Sequence, residues 1–275
     1  MKQKKQSKQT ASFSGKTIGR KTKNKIKRGQ ITVFIIIAIA IVVLIGIVLI
    51  LINNKPKPNN STINDPGYNI IESCLKQTAE QGLDYIGNSG GYYYIPEKST
   101  EFGTPYYFFD NQNLIPKIGS VENETSRFMD SRGSLCGFFD DPQFNVVNRG
   151  NVSTKTTIYD DKIVMDIKYP ITVEKQNKKI SYENFNIEIP GRIGTIYKAA
   201  DEYMDGQVEN PSGICISCIN DIANKHDVKF ITYNYDNETI IFNIVDENTK
   251  INNQSFYTYS FAVKYDSSKI PVIEQ

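Results

Sequence analysis

An α+β fold is what this sequence predicts: an N-terminal transmembrane helix followed by an ectodomain of antiparallel sheet with several short helices. Three observations predict it. Residues 31–52 form a run of 22 residues without a charge. Residues 1–28, ahead of that run, carry eleven Lys and Arg and no acid. Beyond residue 67, segments of helical and of strand period follow one another in separate runs, which favours antiparallel pairing over repeated βαβ units.

The apolar run would make a helix of about 33 Å, enough for a hydrocarbon core of ~30 Å. It lacks the polar stripe of a soluble surface helix. Lys23, Lys25, Lys27 and Arg28 lie just before it, and only Lys55 and Lys57 follow closely. The positive-inside rule then places the N-terminus in the cytoplasm and the remainder outside, at the cell membrane. Leu49 to Ile52 run straight into Asn53 with no Ala-x-Ala pattern, so the segment reads as a retained anchor and not as a cleaved signal peptide. Charge divides the same way. Of 32 basic residues 11 sit in the tail, leaving 21 against all 30 acidic ones, a net of −9 for the rest. Residues 1–29 read as a disordered basic tail that touches lipid headgroups, with the bilayer and not nucleic acid as its partner.

Arg28, Gly29 and Gln30 stand directly ahead of the apolar segment. This resembles the class III signal of archaeal pilin-like proteins, which implies a processing site after Gly29 and a mature chain beginning at Gln30. The sequence departs from that pattern at the fifth mature position, where pilin-like helices carry Glu and this chain has Phe34.

Residues 53–67, with three prolines and no apolar pattern, predict an extended stalk, leaving 68–275 as the extracytoplasmic domain. Ile71, Cys74, Leu75, Thr78, Ala79, Leu83 and Ile86 recur at helical spacing, with Asp65-Pro66-Gly67 as the start and Gly87 as the exit. Tyr92 to Ile95 then predict a short strand closed by Pro96, and Tyr106 to Phe109 another, ended by Asp110 to Gln112. Ser120 to Arg132 forms a polar helix of poor periodicity. Three β-rich runs follow, 155–159, 163–174 and 180–189, with turns at Asp160-Asp161 and at 176–179. Pro170 asks for a bend or an edge position in the second of them. A helix over 192–205 is capped by Gly206. A shorter helix over 214–225 leads to a hairpin of 228–235 and 239–246, and 256–265 adds a last strand. One domain or two, divided near 150 or 207, both fit this pattern.

The RGQ and anchor, the ESCL helix leading to NSGGYYYIP, the strand IVMDIKYPITV, the helix PGRIGTIYKAA and the CISC segment together resemble a group of single-pass, membrane-anchored surface proteins of small-genome archaea. The resemblance implies the anchored topology and supplies no site.

All four cysteines, Cys74, Cys136, Cys215 and Cys218, fall on the expected outside, where oxidising surroundings favour disulfides. Of the three pairings, Cys74 with Cys136 and Cys215 with Cys218 is favoured. The CxxC of Cys215 and Cys218 also fits a redox pair, and with Cys74, Cys136 or His226 a non-standard zinc site. His226 is the sole histidine and follows a predicted helix, where it reads as solvated, so an imidazole-based triad has little to stand on. Asp140-Asp141, Asp160-Asp161 and Asp246-Glu247 sit in or beside turns and read as solvated acids. GNSGG at 87–91 is not followed by Lys-Ser/Thr and reads as a helix stop. The Tyr92–Tyr94 and Phe256–Phe261 aromatics read as sheet core rather than as a sugar-stacking surface. Asn-x-Ser/Thr glycosylation sequons occur at Asn59, Asn60, Asn123, Asn151, Asn237 and Asn253.

Composition and motifs thus lead to a membrane-anchored, non-catalytic extracytoplasmic protein without a cofactor. It has a structural, adhesive or cell-contact role at the envelope, with envelope proteins, glycans or like subunits as partners. A pilin-like filament subunit processed at Gly29, and a membrane-tethered thiol–disulfide oxidoreductase using Cys215 and Cys218, are the alternatives.

Overall fold

The computed structural model describes residues 36–45, 65–139, 141–209, 211, 213–251 and 255–265. The chain divides into two units, Met1–Pro58 and Asn59–Gln275. In the first, residues 36–45 form helix α1 with exposed side chains. Among the described residues no helix is long and apolar enough to cross a membrane. This corrects the transmembrane helix expected over 30–52: its described part has ten residues. That is about 15 Å, half of a ~30 Å hydrocarbon core. The basic tail, Gly29 and Gln30, and the stalk over 53–64 lie outside the described residues.

The second unit is α+β, with one apolar core shared by two sheets and their helices. Its first helix, α2 (Pro66–Asn88), starts as the sequence indicates: Asp65 caps it by accepting from the Gly67 N–H at 2.9 Å, and Pro66 sets the first turn. The Tyr182 hydroxyl donates to the same carboxylate at 2.6 Å and ties the helix start to the sheet. Ile71, Leu75, Ala79, Leu83 and Ile86 form the buried stripe. Gly87 is not the exit. It lies inside the helix, where a Cβ would meet the Thr258 carbonyl at 2.5 Å, so it serves close approach to the sheet. The stop comes at Ser89, followed by Gly90 and Gly91 at φ 55 and 84.

Strands β1 (Tyr106–Phe109) and β2 (Gln112–Asn113) pair across Asp110 and Asn111, whose φ of 51 and 60 suit a two-residue turn between twisted strands. Helix α3 (Ile118–Arg132) and a 3-10 turn (Gly133–Gly137) follow. Next come β3 (Asn145–Arg149), β4 (Ser153–Ile158), β5 (Lys162–Lys175) and β6 (Lys178–Pro190). Strand β3 is absent from the sequence reading, because NVVNR is polar and mostly exposed. The long β5 is central, with β6 along one edge and β4 then β3 along the other. Pro170 therefore lies within a central strand, and the chain accommodates it where the β5–β6 register shifts between Lys168 and Ile171.

The polar residues that spoil the periodicity of α3 cover the free edge of β4. Glu122 accepts from the Ile158 N–H at 2.9 Å, Ser126 from Thr156 at 3.0 Å and Asp130 from Thr154 at 2.6 Å. Side chains thus replace the missing strand and blunt an edge that would otherwise invite pairing.

Helix α4 (Ile193–Glu209) runs through Gly206 instead of ending there, with Ile196, Ala200, Tyr203, Met204 and Gln207 buried. Helix α5 (Ile216–His226) starts on Cys215 and ends on Asp227 in the left-handed conformation. Strands β7 (Lys229–Asn234), β8 (Thr239–Ile251) and β9 (Ser255–Lys264) complete a second sheet of order β2-β1-β9-β8-β7. Its pairs are antiparallel except β1 with β9, which is parallel and makes the sheet mixed.

Tyrosines carry much of this core. The Tyr107 and Tyr259 hydroxyls lie 2.7 Å apart, and Tyr107 donates to the Gly90 carbonyl at 2.9 Å. Tyr203 donates to Gln207 Oε1 at 3.0 Å and lies 3.1 Å from the Tyr265 hydroxyl. Burial holds Tyr107, Tyr257, Tyr259 and Tyr203 above the ordinary phenol range and pushes Tyr265 up to about 12. Because these folded-state values are raised, the stability they contribute is complete below the ordinary value of 10.0 and is lost as pH rises beyond it. Urea unfolding followed over pH about 8 to 11 is expected to show a midpoint that holds and then falls steeply above pH ~10; a flat profile contradicts the buried network.

Candidate functional site

Three places in the second unit gather chemistry at or near the surface. The first is aromatic. No strand forms at Tyr92–Ile95, contrary to the sequence expectation. The Tyr93 and Tyr94 N–H groups donate to Glu124 Oε2 at 3.1 and 3.3 Å, so a carboxylate on α3 supplies the acceptor a neighbouring strand would give. Arg127 holds that carboxylate at 2.6 Å. The Tyr93 ring lies 4.5 Å from Tyr94, 5.4 Å from Phe128 and 6.1 Å from Tyr85. Its hydroxyl donates to Ser131 at 3.1 Å. Tyr94 is 65% exposed and Tyr85 42%. These rings form a supported platform with hydroxyls and an ion pair beside it, a composition suited to apolar contact with a polar rim.

The second place is the CxxC. Cys215 joins Cys218, as Cys74 joins Cys136. The two bonds sit in different surroundings. Cys136 is 2% exposed, and its bond ties α2 to the 3-10 turn. Cys215 caps α5, its Sγ accepting from the Cys218 N–H at 3.2 Å, while Ile216 is 70% exposed. The four cysteines thus pair with one another in two disulfides, and His226 lies instead against Glu202.

The third is a polar cluster that the sequence reading missed. Asp246 lies on the inward face of β8 with Phe242 and Ile244 and is fully buried, which corrects its reading as a solvated turn acid. Arg192, at the head of α4, donates to Asp246 Oδ1 at 2.9 Å, to the Asp227 carbonyl at 3.2 Å and to the His226 carbonyl. Asp246 also accepts from the Thr249 hydroxyl at 2.6 Å and the Asn248 N–H at 3.1 Å. His226 is not solvated either: its Nε2 lies 2.8 Å from Glu202, which Lys225 also engages at 2.8 Å. Hydrogen bonds from Lys225 and His226 hold the Glu202 carboxyl below its ordinary value. The cluster fastens the end of α5 to α4 and β8. Both carboxylate oxygens of Asp246 have structural partners, so the cluster works as a clamp.

No family model, curated protein or solved structure matches this chain.

Other predicted sites sort themselves by exposure. Asp160 pairs with Lys198 at 2.7 Å, and Asp141 caps its own turn through the Gln143 N–H at 2.8 Å. Asn59, Asn60 and Asn253 lie outside the described residues, as does Asp140. Asn123 sits in the middle of α3, and the Thr125 hydroxyl of its sequon is buried, donating to the Val121 carbonyl at 2.8 Å. Asn237 is in the β7–β8 turn, but its sequon threonine, Thr239, is 0% exposed. Asn151 stands in an exposed loop ahead of β4 with an exposed Ser153, so among the described acceptors it alone keeps Asn and hydroxyl both accessible after folding.

Proposed function

We propose that the second unit is an extracytoplasmic contact module with a structural or adhesive role at the cell envelope. The observation that carries this reading is the platform of Tyr85, Tyr93 and Tyr94, rigidly backed by Phe128 and the Glu124–Arg127 pair yet open to solvent. Exposed aromatic side chains held by a fixed scaffold carry a disproportionate share of contact energy. Two disulfides support a location outside the reducing cytoplasm, and the accessible sequon at Asn151 agrees with it. Other envelope proteins, envelope glycans and like subunits are the partner classes in view.

Surface biotinylation of intact cells is expected to label the full chain as well as labelling after permeabilisation. Binding of the purified chain to isolated envelope is expected to weaken about tenfold in Tyr94→Ala and further in Tyr85→Ala/Tyr94→Ala, with thermal melts unchanged. Protection from labelling in intact cells rejects the location. Undiminished envelope binding by the double variant rejects the platform.

A further inference from the structure

We infer that the Cys215–Cys218 disulfide is a thiol–disulfide exchange site for cysteine dithiols of other extracytoplasmic polypeptides. This rests on the extracytoplasmic location proposed above and on none of the platform residues.

The bond is poorly placed to be a structural staple. Restraint of the unfolded chain grows with the logarithm of loop length, so a separation of 3 residues restrains it far less than the separation of 62 between Cys74 and Cys136. It also joins residues of one helix start, where the hydrogen-bonded turn already fixes the backbone: the Ile219 N–H donates to the Cys215 carbonyl at 3.1 Å. The Cys74–Cys136 bond, in contrast, links separate elements across the core.

Its chemistry is suited to exchange. Cys215 is the N-cap of an 11-residue helix with no acid in the first turn, and its Sγ already accepts the Cys218 N–H. A thiolate formed there meets the positive end of the helix dipole and a backbone donor, which lowers its basicity and makes it a good leaving group. Cys218 packs against the core, whereas Cys215 is not among the residues packed on it. Attack from solvent therefore falls on Cys215. The exposed Ile216 between the two cysteines offers an apolar foothold for a polypeptide substrate.

A partner thiolate attacks Cys215 Sγ; the Cys215–Cys218 bond breaks, and Cys218 takes its electron pair and a proton from water. The partner's second thiolate then attacks the partner sulfur of the mixed disulfide, and Cys215 departs as the helix-stabilised thiolate. The partner dithiol is oxidised by two electrons and the CxxC reduced by two. A small-molecule disulfide returns it to the starting state.

The full chain should be equilibrated in glutathione buffers of increasing reducing strength, quenched in acid, alkylated and mapped by mass spectrometry. Cys215 and Cys218 are expected to become alkylated at a GSH²/GSSG ratio at least about 100-fold lower than Cys74 and Cys136. In Cys218→Ala, the freed Cys215 is expected to react with an aromatic disulfide reagent with a pH midpoint well below the ordinary thiol value of about 8.5. Reduction of both bonds over the same ratios overturns the inference, and so does an ordinary midpoint for Cys215. The glutathione titration uses the unaltered chain, so its outcome does not depend on whether the variant folds.

Discussion

Asp246→Ala is expected to lower the unfolding free energy by about 3–5 kcal/mol, the range for removing one partner of a buried ion pair. The substitution takes away the acceptor for Arg192, Thr249 and Asn248 together. Arg192, whose side chain is 24% exposed, is left with only the His226 and Asp227 carbonyls and the distant Asp227 carboxylate at 3.8 Å. Urea denaturation at neutral pH measures the loss. Arg192→Met/Asp246→Ala is expected to lose less than the sum of the two single variants, because the stranded charge goes with its partner. A loss under about 1 kcal/mol for Asp246→Ala would mean that the site is solvated, against its complete burial in the structure.

The second large effect belongs to Cys74 and Cys136. Changing both to Ala is expected to cost about 2–5 kcal/mol, since the bond closes a long loop and one of its sulfurs lies in the core. The chain-entropy model alone puts the term near ~4 kcal/mol for a loop of this length. Removing Cys215 and Cys218 together is expected to cost less than half as much, because their loop is short. Parallel urea titrations of the two double variants under non-reducing conditions make the comparison. Equal losses would overturn the division between a core staple and a surface bond.

What the sequence disclosed depended on whether local pattern and tertiary role agreed. In α2 the apolar spacing, the Asp65-Pro66 start and the Ser89-Gly90-Gly91 stop coincide with the buried face, so the helix was legible within a few residues. The same holds for β5 and β6, whose alternation matches a sheet with one buried face. Hydropathy alone framed the segment at 30–52, and there the described helix is too short for the span it implied. At Tyr92–Ile95 composition favoured a strand, but the deciding acceptor was Glu124, about thirty residues away and on a helix. No local window contains that fact.

The candidate sites divide the same way. A CxxC declares itself by spacing, and the structure adds its helix cap and the exposed Ile216 between the two cysteines. The platform is not legible in the sequence, because exposed and buried tyrosines look alike there. The Arg192–Asp246 clamp did leave one trace: Asp246 follows Phe242 and Ile244 at every second residue, so strict alternation already pointed it inward. Taking Asp246-Glu247 as a turn pair concealed this. A charged residue at an inward strand position is buried only with a partner, and here Arg192 is that partner.

The side-chain rungs between α3 and β4 behave as a vernier. Glu122, Ser126 and Asp130 step by four residues, about 6 Å of helix, while Ile158, Thr156 and Thr154 step by two, about 6.7 Å of strand. The two scales drift apart by less than 1 Å per step, so they stay aligned for three marks and would lose step within a few more. Commensurability thus limits how long a strand one helix can shield. It also makes the arrangement far more sensitive to a deleted residue than to an exchanged one: a substitution removes one mark, whereas losing one residue of α3 turns the later marks by about 100° and throws them out of phase together.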